Sequence, residues 1–337
     1  MKSIDMALAK SKLAEKMNEE LSNQHPYEAM MYVQTFVARK RKVLSKQDTC
    51  DLVYCGIKTL QSHSEWMSAG VLLEWLVSTG SLELNPQNSN FDNITAIITA
   101  MPKDGVISFL DKAYKPLCAY IQTYDGDIKH RYMFQLSLIC GEIFEKCRRW
   151  RDAKNCYIGV GDMVALSRVV HQWTTDGFPS EYSLYFVRTY LFVLANRLVP
   201  QAAAFYRTAS DQYLEPYELT LSCQPDTPLR KACMKSYALW QMCTILSDMM
   251  NIADNPTLAW KVDRKQVFSL VMDKYRTLIE CHDAALLPVM RDIGHGLFGV
   301  PEDTSAGSGV SPLQSIFQNL MGGSGGVGKP TPTIREK

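Results

Sequence analysis

The feature that most constrains this chain is the helical spacing of its apolar residues, which runs from about residue 5 to residue 298. In Phe134–Phe144, for example, apolar side chains recur closer to every three or four residues than every two. Gly and Pro interrupt this spacing and divide the first 212 residues into segments of about 12–20 residues, the usual length of a helix. The pattern predicts an all-α fold of antiparallel helix pairs. The interruptions are His25-Pro26, Gly80, Asn85-Pro86, Pro102, Asp125-Gly126, Gly161, Gly177, Pro179 and Pro200.

A weak internal repeat follows four of the boundaries between segments. In each, an Ala stands a few residues into the new segment and a larger residue follows three or four positions later. A small Ala lets the two helices of a hairpin approach, and the larger residue fills the next groove. The prediction is a right-handed α-solenoid of tetratricopeptide-like helical hairpins. The four sets are Tyr27/Ala29/Tyr32, Trp66/Ala69/Leu72, Trp150/Ala153/Tyr157 and Pro200/Ala203/Tyr206.

One stretch departs from the helical spacing. Residues 217–222 alternate weakly and include Tyr and Thr, and residues 224–228 contain two Pro residues that indicate a turn. Two interpretations stay open here: a short β-hairpin near 217–228, or an irregular loop between helices. Helical spacing then resumes and predicts helices from about Arg230 to Ile252, Arg264 to Glu280 and Ala284 to Leu297.

The composition changes after Phe298. The run Gly322–Lys337 is rich in Gly, Pro and Thr and is expected to be disordered. An apolar stripe just before it predicts a short amphipathic helix, which needs a partner surface, either on its own domain or on another chain, because an isolated helix of about ten residues is marginal in water. The stripe consists of Leu313, Ile316, Phe317, Leu320 and Met321.

Charge and cysteine content narrow the class of protein. Lys and Arg number 36 and Asp and Glu number 35, so a net charge of +1 gives no overall attraction to nucleic acid or to an anionic membrane. The ten cysteines form no C-x-x-C pair, and we expect reduced core cysteines in a cytosolic protein. The first residues lack the apolar segment of a secretory signal, and no apolar run reaches the length of about 20 residues that crosses a bilayer. We therefore expect no nucleic-acid partner and no direct membrane insertion.

The sequence offers little for catalysis. Gly323–Lys329 reads G-S-G-G-V-G-K, which matches the first seven positions of a phosphate-binding P-loop, but Pro330 stands where Ser or Thr would hold magnesium. The six histidines include no H-E-x-x-H motif and no Cys/His quartet. We expect no catalytic residue, no cofactor and no metal. An enzyme that binds nucleotide through Lys329 is the weakest alternative.

A basic run, Arg39-Lys40-Arg41-Lys42, ends the second predicted helix, with Lys46 close by. Basic residues stabilise a helix C-terminus, which is one interpretation. The other is a basic surface for an acidic protein partner. Nucleic acid is disfavoured because no aromatic residues are interleaved with the basic ones.

Several segments, taken in order from about residue 25 to residue 322, resemble those of one family. They are Tyr27-Glu28-Ala29, Thr35-Phe36-Val37, Arg39, Tyr54-Cys55-Gly56, Ser62-His63, Ser68-Ala69, Asp176-Gly177-Phe178-Pro179-Ser180-Glu181, Asp292-Ile293-Gly294, Phe298-Gly299-Val300-Pro301 and Leu313 through Leu320-Met321-Gly322. The family is Golgi-to-ER traffic protein 4, the solenoid adaptor of the guided-entry pathway for tail-anchored membrane proteins.

This resemblance implies a non-catalytic adaptor with two partners. The N-terminal half, residues 1–150, is expected to dock on the homodimeric ATPase that receives the tail-anchored substrate, favouring its ATP-bound, closed form. The C-terminal half, residues 151–300, is expected to hold a ubiquitin-like-domain protein, in some lineages together with a BAG-type chaperone component. Residues 301–337 are then a flexible tail that carries the amphipathic helix.

The resemblance also suggests contact residues. One departure concerns Gly70, which stands where we expect an acidic residue; Glu74, one turn further on the same helix face, would replace it. The expected ATPase-binding residues are Tyr27, Glu28, Arg39, Arg41, Lys42, His63 and Glu74. The expected ubiquitin-like-partner-binding residues are Leu219, Leu221, Phe268, Tyr275 and Phe298.

The alternative function is a helical-repeat scaffold subunit of a proteasome-lid-like or translation-initiation-like assembly. Such subunits carry a C-terminal winged helix with strands, and no strand pattern follows residue 230.

Overall fold

The structure, a computed structural model, describes residues 5–222, 224–254 and 262–301, and every regular element in these ranges is helical. The chain divides into two compact units, one ending at Val169 and the other beginning at Val170. The first unit contains α1 (Met6–Ser22), α2 (Pro26–Lys40), α3 (Lys46–Ser62), α4 (Trp66–Ser78), α5 (Asn90–Thr99), α6 (Lys103–Ile121), α7 (Gly126–Lys146) and α8 (Trp150–Val160). α9 (Met163–Thr174) spans the boundary, and α10 (Tyr182–Ala195), α11 (Val199–Ala209), α12 (Glu215–Ser222), α13 (Pro228–Asp254), α14 (Arg264–Asp283) and α15 (Leu286–Phe298) follow.

Apart from α12, the helices begin and end close to the boundaries that the sequence predicts. Each Gly or Pro interruption lies in the first turn of a helix, at its cap or in a link between helices. Ser45 and Asp48 form a capping box at the start of α3, each side chain accepting a hydrogen bond from the other residue's amide. Gly161 ends α8 with φ at 80°, a left-handed conformation that glycine adopts without steric cost.

Four helical hairpins share one turn geometry. In each, a non-glycine residue adopts positive φ, and the amide of the next residue donates to the carbonyl five positions back, as in a Schellman motif. The positive-φ residues are Gln24, Ser64, Arg148 and Arg197, with φ of 64°, 63°, 57° and 60°. The closing bonds are His25 to Glu20 (2.9 Å), Glu65 to Leu60 (2.9 Å), Arg149 to Phe144 (2.8 Å) and Leu198 to Val193 (3.3 Å).

The predicted alanine repeat follows the same geometry. A buried Ala lies five positions after each positive-φ residue: Ala29, Ala69, Ala153 and Ala202. In the fourth hairpin the position therefore belongs to Ala202, whereas the sequence pattern had selected Ala203, which is only half-buried. The sequence identified the repeat but misplaced its fourth member by one residue.

Aromatic packing organises the core of the second unit. The indole of Trp240 on α13 stacks on Tyr206 of α11, with ring centroids 5.1 Å apart. Its Nε1 donates to Ser210 Oγ over 3.3 Å. Ser210 opens a π-helical turn, Ser210–Leu214, that joins α11 directly to α12. An ion pair between Arg188 and Asp283 (2.7 Å) connects α10 with α14.

The β-hairpin considered for residues 217–228 is wrong, because residues 215–222 form α12. The π-helical turn continues α11 into α12, and Pro216, which lacks an amide hydrogen, lies in the first turn after it. The burial of the side chains distinguishes a helix from a strand, in which residues 219 and 221 would share one face. Leu221 is buried, whereas Leu219 is 70% exposed. Residues 224–227 form a non-helical link, and α13 begins at Pro228. The predicted amphipathic helix at 313–321 lies outside the described residues.

Candidate partner-binding surfaces

Helix α2 and the two residues just beyond it carry five of the seven residues expected to bind the ATPase. Its apolar stripe holds it against its neighbours and leaves the remaining faces outward. Tyr27, at 62% exposure, and Glu28 lie in its first turn. Arg39 lies in its last turn, with Arg41 and Lys42 exposed just beyond it. The buried stripe consists of Ala29, Met30, Val33 and Val37.

One outer face of α2 lines a groove of about 450 Å³. Tyr32 and Phe36 lie at its centre with ring centroids 6.1 Å apart, and Lys40 Nζ lies 4.4 Å from the centroid of Phe36. Lys40 belongs to the basic surface that the sequence predicts, whereas Met31, Tyr32, Thr35 and Phe36 are not predicted as surface contacts, although the spacing 28, 32, 36, 40 marks one helix face. The lining residues are Glu20, Glu28, Met31, Tyr32, Thr35, Phe36, Arg39 and Lys40.

The charges along this groove are separated by sign. Glu20 and Glu28 lie at the end nearest the start of α2, and Arg39 and Lys40 lie at the other end, about 17 Å from Glu28 at 1.5 Å per residue. Lys16 contacts Glu20 over 3.1 Å. Its hydrogen bonds to Glu19 and Glu20 raise the pKa of Lys16. The acidic end is thus partly neutralised within the chain.

Three cations at and just beyond the basic end of α2 lack an ion-pair partner in the part of the chain that the structure describes. Among the ion pairs of the described residues, none involves Arg39, Arg41 or Lys42. All three are exposed, Arg39 lines the aromatic groove, and Arg41 and Lys42 follow it in the chain. Such a surface suits an acidic protein partner that also supplies an apolar side chain.

His63 and Glu74 lie apart from the α2 groove. His63 caps the C-terminus of α3, and its Nε2 lies 3.0 Å from Asn18 Oδ1 on α1. Glu74 is half-exposed on α4. The structure places His63 near the end of α1 and leaves Glu74 on a separate helix.

Gly70 has a structural explanation. It is buried where α4 packs on α6, and a Cβ atom at this position would lie 2.6 Å from the Phe109 carbonyl oxygen and 3.1 Å from Lys112 Cβ. An acidic side chain here would need the two helices to move apart. Glu74 lies one turn further along α4 and retains partial exposure.

Four of the five residues expected to bind the ubiquitin-like partner are core residues. Leu221, Phe268, Tyr275 and Phe298 are all buried, and the rings of Phe268 and Phe298 stack with centroids 5.0 Å apart. Leu219 alone among the five is exposed. The buried four hold α12, α14 and α15 in place, so any direct partner contact falls to exposed neighbours such as Leu219.

Burial affects the thiols of several cysteines. Burial raises the pKa of Cys50 and Cys118 to about 11 and that of Cys156 to about 12, so these thiols stay protonated near neutral pH. Within the described residues, no group of His, Cys, Asp and Glu has the arrangement of a metal site. The Gly323–Lys329 run lies outside these residues.

In the described parts of the chain, no helix combines the length and the apolar character that crossing a membrane requires.

The crystal structure of C. therm. Get4 has the same fold, with a TM-score of 0.62 over 97% of this chain and 100% of that one. Sequence identity is 15%, so this likeness concerns the fold alone, and it confirms the predicted all-α solenoid class. No curated protein sequence matches the chain.

The comparison of the sequence with protein-family models identifies the family, which the structural likeness does not. The model described as Golgi to ER traffic protein 4 matches residues 45–321, a range that includes His63 and Glu74 but not α2. This match favours the adaptor family over the scaffold-subunit alternative. Because the matched range spans more than half of the 337 residues, the chain belongs to the Golgi to ER traffic protein 4 family, which acts in the targeting of tail-anchored proteins.

Proposed function

We propose that this chain is a non-catalytic cytosolic adaptor that bridges a homodimeric tail-anchor-targeting ATPase and a ubiquitin-like, chaperone-linked partner during post-translational delivery to the ER. Family membership supports the pathway. The observation that carries the ATPase contact is the exposed basic end of α2 beside the aromatic groove.

The two parts of the α2 surface have different roles in this proposal. Arg39, Arg41 and Lys42 attract and orient an acidic surface of the ATPase, which mainly raises the rate of association. The groove around Tyr32 and Phe36 takes an apolar side chain of the ATPase and supplies contact area that salt does not screen. Binding favours the ATP-bound, closed form of the ATPase if only that form presents both features together.

His63 and Glu74 form a second contact of the same partner. Both lie in the range matched by the family model. The packing of α4 on α6 leaves no space for a side chain at position 70. Glu74 is therefore the acidic residue of α4 that regulates ATP hydrolysis by the ATPase.

The C-terminal half holds the ubiquitin-like partner and, where the lineage has one, a BAG-type component. Leu219 on α12 is the exposed apolar contact. The buried Leu221, Phe268, Tyr275 and Phe298 support the surface from below. Their substitution would then affect binding through folding rather than through direct contact.

The ATPase contact is tested with two charge-reversal variants. R39E/R41E should weaken binding to the ATPase by about tenfold at low ionic strength and by less at high salt, because exposed charges are screened. The control is K58E/K115E, which makes the same change in net charge at exposed lysines of α3 and α6 outside the groove. Equal loss of affinity in both variants, or none in either at low salt, would place the ATPase contact elsewhere.

A further inference from the structure

The link between α12 and α13 contains a sequence that the adaptor function does not account for. Thr227-Pro228-Leu229-Arg230 is the only place in the chain where Ser or Thr precedes Pro with a basic residue three positions on. Ser311 and Thr331 also precede Pro, but Gln314 and Ile334 occupy the third position. A Ser or Thr followed by Pro, with a basic third residue, is the substrate pattern of proline-directed protein kinases of the cyclin-dependent class.

This link is open to another protein. Residues 225–227 are non-helical, and Thr227 and Pro228 are exposed. Leu229 keeps 55% of its surface in water although it lies in the first turn of α13. Kinases bind substrates in extended form, and unwinding this turn sacrifices little apolar contact.

The contacts of Thr227 suit a phosphate group. Its Oγ1 accepts a hydrogen bond from the Arg230 amide over 3.1 Å, which caps the start of α13. Arg230 Nε donates to the Leu221 carbonyl over 2.8 Å, while its Nη1 lies 3.9 Å from Asp226 Oδ1. Lys231 Nζ lies 3.2 Å from Asp226 Oδ2. The side chains of Arg230 and Lys231 therefore already contact the carboxylate of Asp226, the residue that precedes Thr227.

We propose that Thr227 is a phosphorylation site for a proline-directed protein kinase. The Thr227 Oγ bonds to the γ-phosphorus of ATP as the bond from that phosphorus to the β,γ-bridging oxygen breaks. ADP leaves, and the hydroxyl proton passes to the kinase's catalytic carboxylate.

The phosphate would brace the α12–α13 link. It places about two negative charges at the positive end of a 27-residue helix. It displaces Asp226 from Lys231 and from the Nη1 side of Arg230, while Arg230 Nε keeps its bond to Leu221. The first-turn amides of α13 should then exchange with solvent more slowly than in the unmodified chain.

The test uses the full, folded chain, a recombinant cyclin-dependent kinase and Mg-ATP, with peptide mass spectrometry to locate the phosphate. We expect Thr227 to be modified ahead of Ser311 and Thr331. R230Q should slow modification at Thr227 by about tenfold, because the kinase loses a charge-assisted contact.

A matched variant separates the hydroxyl from the cap. T227N keeps an N-cap side chain but has no hydroxyl to accept a phosphate. The total phosphate on this variant should therefore fall to the amount that Ser311 and Thr331 take up, while its thermal unfolding is unchanged. The proposal is overturned if Thr227 is modified no faster than those two residues. It is also overturned if a peptide of residues 220–234 is modified and the folded chain is not. Unaltered exchange of the α13 amides after phosphorylation would contradict the bracing of the link.

Discussion

At the scale of single residues, non-glycine side chains in left-handed backbone set the direction of four hairpins. Positive φ destabilises the backbone by about 1 kcal/mol at each of four residues, Gln24, Ser64, Arg148 and Arg197. The Schellman hydrogen bond that follows, and the buried Ala five positions on, are available only in that conformation. Small residues at fixed offsets from each turn thus determine how closely the helices of a hairpin approach.

Gly70 provides a direct test of close packing at this scale. G70A adds a methyl group that would lie 2.6 Å from a backbone oxygen of α6, so it should lower the free energy of unfolding by about 1–3 kcal/mol. Urea denaturation measures the change.

The matched control for this substitution is G159A in α8. There the nearest atom, Ser137 Oγ, lies 3.8 Å from the new methyl group, and the better helix propensity of Ala should raise stability by up to about 1 kcal/mol. Similar results for the two variants would contradict the close approach of α4 and α6.

At the scale of elements, the sequence predicts the positions of most helices but only part of the candidate partner-binding surfaces. Gly and Pro fix helix boundaries through local backbone preferences, which a sequence displays directly. α12 was missed because Tyr, Thr and alternating apolar residues also favour strands, and the burial of Leu221 decided the outcome. The buried stripe of α14, Phe268, Val271, Tyr275 and Ile279, follows helical spacing, so the sequence did carry a signal against an exposed role for Phe268 and Tyr275.

α12 can be tested by comparing two leucines. L221A should destabilise the second unit by about 2–3 kcal/mol because it removes buried surface. L219A should change stability by less than about 0.5 kcal/mol because Leu219 already lies in water. Chemical unfolding followed by Trp fluorescence measures both. In a hairpin these residues would share one face, so equal effects would argue against the helix.

Glu145 links three helices of the first unit. It accepts hydrogen bonds from Arg168 Nε on α9 and from Tyr157 OH on α8, each over 2.8 Å. Burial raises the pKa of Glu145, but these hydrogen bonds lower it more, so its pKa lies below the ordinary value. A depressed pKa means that the carboxylate stabilises the fold above the unfolded-state pKa of about 4.3, and that this contribution disappears as pH falls through the folded-state pKa.

The corresponding variant is E145Q. It should cost about 1 kcal/mol near neutral pH, a value reduced by the partial exposure of Arg168. The difference from the parent chain should close once pH lies below the folded-state pKa of Glu145. Urea unfolding across a pH series checks this, and a difference that does not change with pH would show that the charge of Glu145 contributes nothing.

At the scale of the whole molecule, each of the two units has its own core and its own candidate surface. The first offers the basic end and aromatic groove of α2, and the second offers α12 with Leu219. This arrangement gives each proposed partner a separate unit. The ATPase contact is the central claim, because the α2 residues that carry it lie outside the range matched by the family model.

The most direct test is a calorimetric titration of the full chain into the tail-anchor-targeting ATPase, with and without ATP. The account predicts a dissociation constant of about 1 µM or tighter, with binding stronger in the presence of ATP. Absence of binding in both states would contradict the assigned partner while leaving the helical fold and the family assignment in place.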